Sequence, residues 1–360
     1  MKHITMVAGA RPNFMKIAPI IHEIIKQNKI LTYSLVHTGQ HYDKNMSGDF
    51  FEQLNIPHPD INLNSGGGTQ SEQTASILIK FEKYLNDIST DLVLVVGDVN
   101  STMACAITAR KMNIRVAHVE AGIRSGDMSM PEEINRIVTD SISNYFFTTS
   151  RLANENLYQL GFPKENIFFV GNTMIDTLLS NKSRFKKPSI WDILKLVKRN
   201  YMVITLHRPA NVDEENNLRN LIHELVSNSK GMKIIFPAHP RTKIKLDKLG
   251  IDHQNLYVVN PMSYLEFNYL VENSFAVFTD SGGITEETTV MKIPTFTLRD
   301  NTERPETISM GTNQLIGTNP LNIGPAMENL FNTKPKNTKI PELWDGKTAE
   351  RLINKLIEVL

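Results

Sequence analysis

The segment Asp280–Phe296, DSGGITEETTVMKIPTF, gives the clearest indication of the fold. An apolar run at Phe275–Phe278 leads into Ser-Gly-Gly, and a helical pattern follows before the next apolar segment. This order is typical of a strand, a turn and a helix in an α/β domain. The turn has three possible roles: a phosphate cradle, a pair of glutamates for acid–base chemistry, or only a tight connection between strand and helix.

The overall composition is typical of a soluble globular protein. With 360 residues the chain is long enough for two domains, and its 41% hydrophobic content argues against a disordered or membrane protein. A net charge of +1 gives no positive field for nucleic acid. No apolar stretch approaches the roughly 20 residues that span a bilayer, and the N-terminus lacks a secretory-signal pattern. The single cysteine, Cys105, excludes an internal disulfide and is expected on the buried face of a helix. These features predict a cytoplasmic protein.

Short β-branched or aromatic runs alternate with helical patterns in the first half, as expected of a parallel sheet. Helical periodicity lies between these runs, for example at Ile17–Gln27 and Met103–Met112. The predicted strands are His3–Gly9, Leu31–Thr38, Asp91–Gly97, Arg115–Glu120, Tyr145–Thr149 and Ile167–Gly171.

A second series follows a basic, irregular stretch at Asn181–Arg199, which indicates an exposed connection. The last residues, Thr348–Leu360, have an amphipathic helix pattern. Two doubly wound α/β units in tandem, with the main cleft between them, are the simplest architecture. The strands predicted for the second unit are Met202–His207, Lys233–His239, Leu256–Asn260, Phe275–Asp280 and Pro294–Leu298.

Common nucleotide and metal motifs are absent from the sequence. The first turn reads VAGARPNFMK rather than G-x-G-x-x-G, and no G-x-x-x-x-G-K-[ST] occurs, which argues against a dinucleotide site and a P-loop. No H-E-x-x-H or C-x-x-C spacing supports a metal site. We therefore expect no cofactor and no metal.

Charged side chains follow several strands of the first half, where open α/β sheets bind ligands. Arg11 and Lys16 follow the first strand at a helix N-terminus, which suits an anionic group because free N–H donors already favour negative charge there. Asp98 follows LVLVV and, taken alone, is better explained as a helix-capping residue. Glu120 directly follows an apolar strand, at a turn that contains glycine. A carboxylate in this position is harder to explain as an ordinary surface residue.

Other charged positions have two explanations. Glu132 and Glu133 follow a proline in the first turn of a predicted helix, where acids are ordinary capping residues. We expect either to be functional only if the loop before them brings it over the same cleft. His207 and His239 each follow a strand of the second half. A single histidine is more often structural than catalytic, but two at successive strand ends favour a functional role.

The Ser-Gly-Gly turn completes the set of candidate residues. Ser281, Gly282 and Gly283 let backbone N–H groups approach a ligand closely, and a helix N-terminus directs such groups at a phosphate. Glu287, one turn into the helix, stands where a carboxylate could bind the two hydroxyls of a ribose. A phosphate repels carboxylates, so the cradle is favoured over a general base at this turn.

Ten motifs occur in order along nearly the whole chain: GARPNFMK (Gly9–Lys16), TGQH (Thr38–His41), GDVNST (Gly97–Thr102), HVEAGIRSGD (His118–Asp127), PEEINR (Pro131–Arg136), GNTMID (Gly171–Asp176), LHRPANVD (Leu206–Asp213), PAHPR (Pro237–Arg241), DSGGITEE (Asp280–Glu287) and RDNTERPE (Arg299–Glu306). Together they resemble the non-hydrolysing UDP-N-acetylglucosamine 2-epimerases. Each motif alone is weak evidence, whereas ten in this order are highly specific.

The resemblance implies a GT-B architecture. Two Rossmann-like doubly wound domains would face each other across a cleft that holds UDP, with the C-terminal helix crossing back to the first domain. The implied limits are residues 1–171 with 348–360 for the domain that carries the catalytic acids, and 172–347 for the UDP-binding domain. A homodimer, a UDP-sugar substrate, and no nucleic-acid or membrane partner are also expected.

The resemblance also assigns roles to residues. It implies that Ser281, Gly282 and Gly283 hold the diphosphate and that Glu287 holds the ribose. It also implies that Phe267 lies at the uracil pocket and that Arg11 and Arg304 contact the nucleotide. The residues implied around the sugar and pyrophosphate are Lys16, Asp98, Glu120, Glu132, His207 and His239.

The reaction of the family inverts C2 of UDP-N-acetylglucosamine to give UDP-N-acetylmannosamine, a sugar precursor of cell-surface polysaccharide. No carbonyl activates the C2–H bond, so UDP is eliminated to give a glycal and then adds back with protonation on the opposite face. The departing β-phosphate needs cations and N–H donors, and C2 needs a proton-transfer group on each face. We assign proton transfer to Asp98, Glu120 and Glu132, with His207 near the diphosphate. The sequence leaves open which carboxylate acts on which face.

Two departures from the family pattern bear on substrate and regulation. YDKNMSGDFFEQ and GGGTQSEQT do not match the Arg/Gln-rich stretches of the substrate-regulated bacterial members, which argues against the same allosteric site. HRPAN, where HRREN is common, fits a different sugar such as a 2,3-diacetamido-hexuronic acid. A GT-B glycosyltransferase and an inactive UDP-sugar-binding module are alternatives. The three carboxylates argue against the first, and the presence of every expected acid argues against the second.

Overall fold

The computed structural model describes residues 1–39, 51–251, 253–333 and 337–360, without the side chains of Pro209 and Arg241. The last two residues of TGQH and most of YDKNMSGDFFEQ lie outside the described residues. The chain divides into two compact units. Unit 1 consists of Met1–Ser180 and Glu342–Leu360, and unit 2 consists of Asn181–Pro341.

Unit 1 contains, among its described residues, a seven-stranded parallel sheet. Its strands are β1 (Lys2–Ala8), β2 (Leu31–His37), β3 (Ile61–Asn62), β4 (Leu92–Val96), β5 (Arg115–Val119), β6 (Tyr145–Thr148) and β7 (Ile167–Phe169). They lie side by side in the order β3-β2-β1-β4-β5-β6-β7. All five residues of β4, LVLVV, are buried, as expected of a central strand covered by helices on both faces.

Helices cover this sheet, and the sequence explains where several of them begin. The second helix begins at a capping box, in which Thr69 accepts from the N–H of Glu72 and the Glu72 carboxylate accepts from the N–H of Thr69. Cys105 is buried in the third helix, as predicted. The helices are α1 (Arg11–Lys26), α2 (Gln70–Asp87), α3 (Asn100–Lys111), α4 (Pro131–Ile142), α5 (Arg151–Gln159) and α6 (Thr173–Asn181).

Unit 2 contains, within the described part of the chain, a six-stranded parallel sheet. Its strands are β8 (Tyr201–Thr205), β9 (Lys233–Pro237), β10 (Leu256–Val259), β11 (Ala276–Thr279), β12 (Thr295–Thr297) and β13 (Asn313–Leu315). Their order is β10-β9-β8-β11-β12-β13. The core of the unit lies between this sheet and its helices, with Phe278 stacked on Phe296 at 4.8 Å between ring centroids.

The helices of unit 2 alternate with these strands. They are α7 (Ser189–Ile193), α8 (Pro209–Val212), α9 (Glu215–Ser227), α10 (Pro240–Lys248), α11 (Tyr264–Glu272), α12 (Gly282–Met291), α13 (Pro305–Ser309) and α14 (Ile323–Asn332). No helix within the described ranges is long and apolar enough to cross a membrane.

All eleven predicted strands are present, with bounds that differ by no more than two residues at either end. β3 and β13 were not predicted, because two or three residues give too short a pattern to recognise. The connection at Asn181–Arg199 is less irregular than expected, since it contains α7 and a short 3-10 turn at Lys182–Arg184.

The last helix, α15 (Thr348–Val359), packs against α1 in unit 1, so the predicted return of the C-terminus to the first unit is confirmed. Leu352, Ile353 and Leu356 bury its apolar face. Its N-terminus is held by the carboxylate of Asp176 in α6, which accepts from the N–H of Ala349 at 2.7 Å. A carboxylate is favourable there because the helix dipole places positive charge at this end.

Asp176→Asn tests how this contact depends on pH. Burial raises the pKa of Asp176 from 3.8 to about 6, although N–H donors of Ala349 and Thr348 oppose the shift. The folded protein therefore holds this proton more tightly than the unfolded chain. The resulting stabilisation is complete at low pH and is lost as the pH rises through about 6. For a shift of about two units the loss amounts to about 3 kcal/mol.

Urea unfolding of the wild type and of Asp176→Asn at about pH 4 and about pH 7 measures this loss. The amide oxygen of the variant still accepts from Ala349 but has no proton to lose. Because the unfolded carboxyl is already partly ionised at about pH 4, the wild type should lose about 2 kcal/mol relative to the variant between the two pH values. Equal pH dependence of the two proteins would contradict the prediction.

Candidate active site

In each sheet the strand order reverses once, and ligands of doubly wound domains bind outside the strand ends at such a point. In unit 1 the reversal lies between β1 and β4, which are followed by Arg11 and Asp98. In unit 2 it lies between β8 and β11, which are followed by His207 and Ser281. Four of the predicted site residues therefore stand at these two reversal points.

Lys16 and Glu120 form a buried ion pair in unit 1. The Lys16 ammonium on α1 donates to the Glu120 carboxylate at the end of β5, and their side chains are only 11% and 2% exposed. Gly97 makes room for the pair, since a Cβ there would lie 3.1 Å from Lys16 Nζ and 3.5 Å from Glu120 Oε2. Removing either charge would leave the other poorly compensated in a buried position.

The backbone of Glu120 is in the left-handed region, with φ of +69°. Its N–H donates to the carbonyl of Phe147 at 2.9 Å, which fixes this conformation against the neighbouring strand. A non-glycine residue in this region is uncommon, and such positions cluster at functional sites. The strained backbone therefore supports a special role for Glu120 independently of its carboxylate.

The turn before α1 differs from a simple anion site. Arg11 is the first residue of the helix, and Lys16 lies in its second turn. The side-chain oxygen of Asn13 accepts from the N–H groups of Gly9 and Ala10 at 3.2 and 3.0 Å. Asn13, which was not predicted from the sequence, therefore satisfies two N–H groups at the start of α1.

Asp98 is bound by two residues of α4. Helix α3 begins at Asn100, and its N-cap residue, Val99, makes no side-chain capping bond. The Asp98 carboxylate instead accepts from the guanidinium of Arg136, while its backbone carbonyl accepts from Asn135 Nδ2 at 2.8 Å. The two partners on α4 were not predicted because they lie almost forty residues away in sequence.

Helix α4 buries its polar face. The residues that it buries are Glu133, Asn135, Arg136, Thr139 and Asp140, whereas Ile134 and Ile137 are 45% and 38% exposed. This reverses the usual amphipathic pattern. The inward face of α4 is therefore a set of hydrogen-bonding groups directed at the turns of unit 1.

The two acids in the first turn of α4 have different surroundings. Glu133 is buried and accepts from the N–H groups of Ser125 and Gly126 at 2.9 and 3.0 Å and from Arg136 at 2.9 Å. Burial opposes ionisation, but these donors hold the pKa of Glu133 below its usual range. Glu132 is only half-buried. Glu133 thus orders the preceding loop, which leaves Glu132 as the better candidate for chemistry.

In unit 2 the predicted Ser-Gly-Gly turn is the N-terminus of α12. Ser281 is the N-cap residue, and its N–H donates to Thr279 Oγ1 at 3.0 Å. Gly282 has open space around it, because the nearest atom to an added Cβ would be Glu303 Oε2 at 3.9 Å. Residues 281–284 are partly exposed. The start of this helix therefore has the N–H groups and the free volume that an anion needs.

His207 lies beside this helix start and is oriented by Asp280. Its Nδ1 lies 2.7 Å from Asp280 Oδ1, while the His207 side chain is 58% exposed and that of Asp280 is fully buried. The same carboxylate accepts from the backbone N–H groups of His207 and Arg208 and from Asn211 Nδ2. Burial opposes ionisation of Asp280, but these hydrogen bonds keep its pKa below the usual range. Asp280 was not predicted from the sequence as this partner.

Several acids near the start of α12 are paired with arginines or a hydroxyl. Arg299 binds Glu303 through two hydrogen bonds of 2.9 Å, and Arg304 donates to the buried carboxylate of Glu286. Glu287 is also buried and accepts from the hydroxyl of a tyrosine in α11, Tyr264, at 2.8 Å. Two of these three acids, Glu303 and Glu286, are therefore paired with a positive charge.

The two remaining candidates of unit 2 lie on other elements. Phe267 is partly buried on α11, one turn beyond Tyr264, and His239 is exposed at the turn between β9 and α10.

The family model described as UDP-N-acetylglucosamine 2-epimerase matches residues 23–357. The chain belongs to this family. It is therefore an isomerase, as predicted, and the α/β fold predicted from the sequence is confirmed.

Relatives within the epimerase family differ in the sugar they are named for. The chain is 41% identical to the UDP-N-acetylglucosamine 2-epimerase of Methanocaldococcus jannaschii, over 98% of each chain. It is 39% identical to the UDP-2,3-diacetamido-2,3-dideoxy-D-glucuronate 2-epimerase of Pseudomonas aeruginosa, over 88% of each chain. The crystal structure of the Methanocaldococcus enzyme with UDP-GlcNAc and UDP matches with a TM-score of 0.90 and covers 99% of both chains.

The Arg304–Glu286 pair of this epimerase can be tested by substitution. Arg304→Met removes the guanidinium from a carboxylate whose side chain is 2% exposed, so we expect a loss of about 3–5 kcal/mol in the free energy of unfolding. The double variant Arg304→Met/Glu286→Leu removes both charges and should recover most of that loss. Urea unfolding measures both.

UDP titration of the double variant then separates packing from ligand binding. Weaker UDP binding by a variant of restored stability would support the predicted nucleotide contact of Arg304. If the double variant is as unstable as the single one, the pair does not carry the stability assigned to it.

Proposed function

We propose that the protein interconverts UDP-N-acetylglucosamine and UDP-N-acetylmannosamine by eliminating UDP to a glycal and adding it back to the opposite face of C2. One observation carries the proposal. Candidate carboxylates collect at the strand ends of unit 1, whereas unit 2 presents a helix N-terminus whose neighbouring acids are paired. This reaction needs both kinds of site, because C2 exchanges a proton while the diphosphate gains charge.

In unit 1, Asp98, Glu120 and Glu132 would transfer protons at C2. Arg136 fixes the orientation of the Asp98 carboxylate, and Lys16 fixes that of Glu120. Fixed orientations reduce the entropy that is lost on reaching a productive geometry. A general base must reach within hydrogen-bond distance of its proton, so a fixed carboxylate is more effective than a mobile one.

In unit 2, Ser281, Gly282 and Gly283 would hold the diphosphate, with His207 beside it. An exposed helix dipole contributes only about 0.3–1 kcal/mol, and up to about 2 when partly buried. Several N–H donors and the imidazole would therefore have to act together on the charge that develops on the departing β-phosphate.

The remaining contacts belong to the nucleotide and the sugar. Glu287 would bind the ribose and Phe267 the uracil, while the other proposed contacts are Arg11, Arg304 and His239. The proposed domain limits are residues 1–171 with 348–360 for proton transfer, and 172–347 for UDP. We also propose a cytoplasmic homodimer that supplies a polysaccharide precursor. The exposed isoleucines of α4 support association, and light scattering would test it.

Hydrogen exchange at C2 tests the function directly. Purified protein in D2O with UDP-N-acetylglucosamine should yield the manno epimer with deuterium at C2, followed by NMR. The complete absence of C2 deuterium from any UDP-N-acetylhexosamine would refute the proposal. Transfer of the sugar to an acceptor with retained C2 configuration would instead indicate a glycosyltransferase.

A second substrate is favoured by one observation, the 39% identity to an epimerase named for a UDP-2,3-diacetamido-glucuronate. Running the same exchange assay with that sugar decides between the two. The sequence HRPAN at His207–Asn211 also fits this alternative. A higher kcat/KM for the diacetamido-uronic substrate would make it the natural one.

Glu120→Gln should keep UDP binding and lose turnover. The amide preserves the shape of the side chain but cannot transfer the proton, so we expect kcat to fall by roughly 10²–10⁴-fold. UDP affinity, measured by calorimetry, should stay within about two-fold because the cradle is untouched. Glu155→Gln, at an exposed position of α5, is the matched control and should have no effect. A parallel collapse of UDP affinity would make Glu120 structural.

A further inference from the structure

We propose that the buried pair His118–Asp140 positions the proton-transfer carboxylates of unit 1. The pair connects the turn that carries Asp98 to the turn that carries Glu120, and it touches neither carboxylate. The inference rests on the proposed function, because it assigns these two carboxylates to chemistry at C2.

His118 lies on β5, between α4 and the end of β4. Its Nδ1 is 2.7 Å from Asp140 Oδ1, and its Nε2 is 2.8 Å from the backbone oxygen of Gly97. The two side chains are 0% and 1% exposed. His118 therefore ties α4 to the residue directly before Asp98.

Both ring nitrogens of His118 face acceptors. A backbone carbonyl only accepts hydrogen bonds, and so does an ionised carboxylate, so each nitrogen must carry hydrogen for both contacts to form. Burial opposes ionisation of Asp140, but the charges and hydrogen bonds of His118 and Arg124 hold its pKa below the usual range. The contact is therefore a charge-assisted pair without access to water.

The second carboxylate oxygen of Asp140 reaches the turn after β5. It accepts from the N–H of Gly122 at 3.1 Å and lies 2.6 Å from Arg124 Nη1. Gly122 follows Glu120 by two residues, and both have positive φ, of +75° and +69°. Asp140 thus holds the turn in the conformation that Glu120 requires.

His118 cannot itself be a catalytic residue. Both nitrogens are occupied by protein groups, and its buried ring has no path to a substrate. The pair acts instead by fixing two turns with one set of hydrogen bonds. Since a displacement of about 1 Å far from the chemistry can cost 10²-fold in rate, loosening this set should impair proton transfer.

The expected defect has a specific form, because inversion needs a proton-transfer group on each face of C2. An enzyme with one misplaced carboxylate can still remove a proton and return deuterium on the same face. It then exchanges hydrogen at C2 without inversion, or releases the glycal and UDP. The ratio of hydrogen exchange to inversion at C2 therefore reports whether the carboxylates are correctly placed. A loss of folded protein, by contrast, lowers both rates equally.

Asp140→Asn tests the proposal in the full-length protein. The amide keeps the size of the side chain but carries no charge, so the charge-assisted contacts with His118 and Arg124 are lost. In D2O with UDP-N-acetylglucosamine we expect inversion to fall by roughly 10²-fold and the exchange-to-inversion ratio to rise. KM and UDP affinity should stay within about two-fold. Asp87→Asn, at the exposed end of α2, is the matched control.

Two results would overturn the proposal: inversion within two-fold of wild type, or a parallel fall of activity and UDP affinity with an unchanged ratio. Nitrogen-15 NMR of the wild type gives an independent test that requires no variant to fold. Both ring nitrogens of His118 should carry hydrogen, and a bare nitrogen would contradict the proposed contacts. A wild type that shows no exchange refutes the proposed function itself, whereas an active wild type with an unaffected variant refutes only the positioning role.

Discussion

The guanidinium of Arg136 lies between the carboxylates of Glu133 and Asp98, with its side chain only 6% exposed. Charges removed from water cost several kcal/mol each unless they are paired. Helix α4 can therefore pack against the rest of unit 1 only in the orientation that pairs all of its buried polar groups. A rotation that turned its isoleucines inward would leave charges buried without compensation. The position of the helix, and with it the geometry of the adjoining turns, follows from this constraint.

The two units use their cations differently. In unit 1, Lys16 and Arg136 hold carboxylates that remain close to the strand ends. In unit 2, Arg299 and Arg304 compensate acids around the start of α12, which leaves the N–H groups of that helix as the main attraction for an anion. Similar folds thus provide one site rich in carboxylates and another suited to phosphate. The fold alone does not determine this difference, because the side chains at the strand ends set it.

The sequence predicted the strands and the helix start at Ser281 because both depend on neighbouring residues. Apolar runs mark buried parallel strands, and a glycine pair after such a run marks a turn. The partners of the site residues were not predictable in this way. Asp98 meets Arg136 only after two elements pack together, and Asp280 meets His207 across two parallel strands. The orientation of α4 was also inaccessible, because hydrophobic periodicity predicts that Ile134 faces inward.

The left-handed backbone of Glu120 has a consequence for engineering. This conformation costs about 1–2 kcal/mol for an L-residue, and glycine adopts it without that cost. Laboratory evolution for heat tolerance would therefore select glycine at position 120. A neutral residue at position 16 would have to accompany it, because the buried ammonium of Lys16 would otherwise lose its carboxylate partner. Such a clone would gain robustness and lose its proposed chemistry. Thermostable libraries of this protein should accordingly keep both positions fixed, since an improved melting temperature would conceal an inactive catalyst.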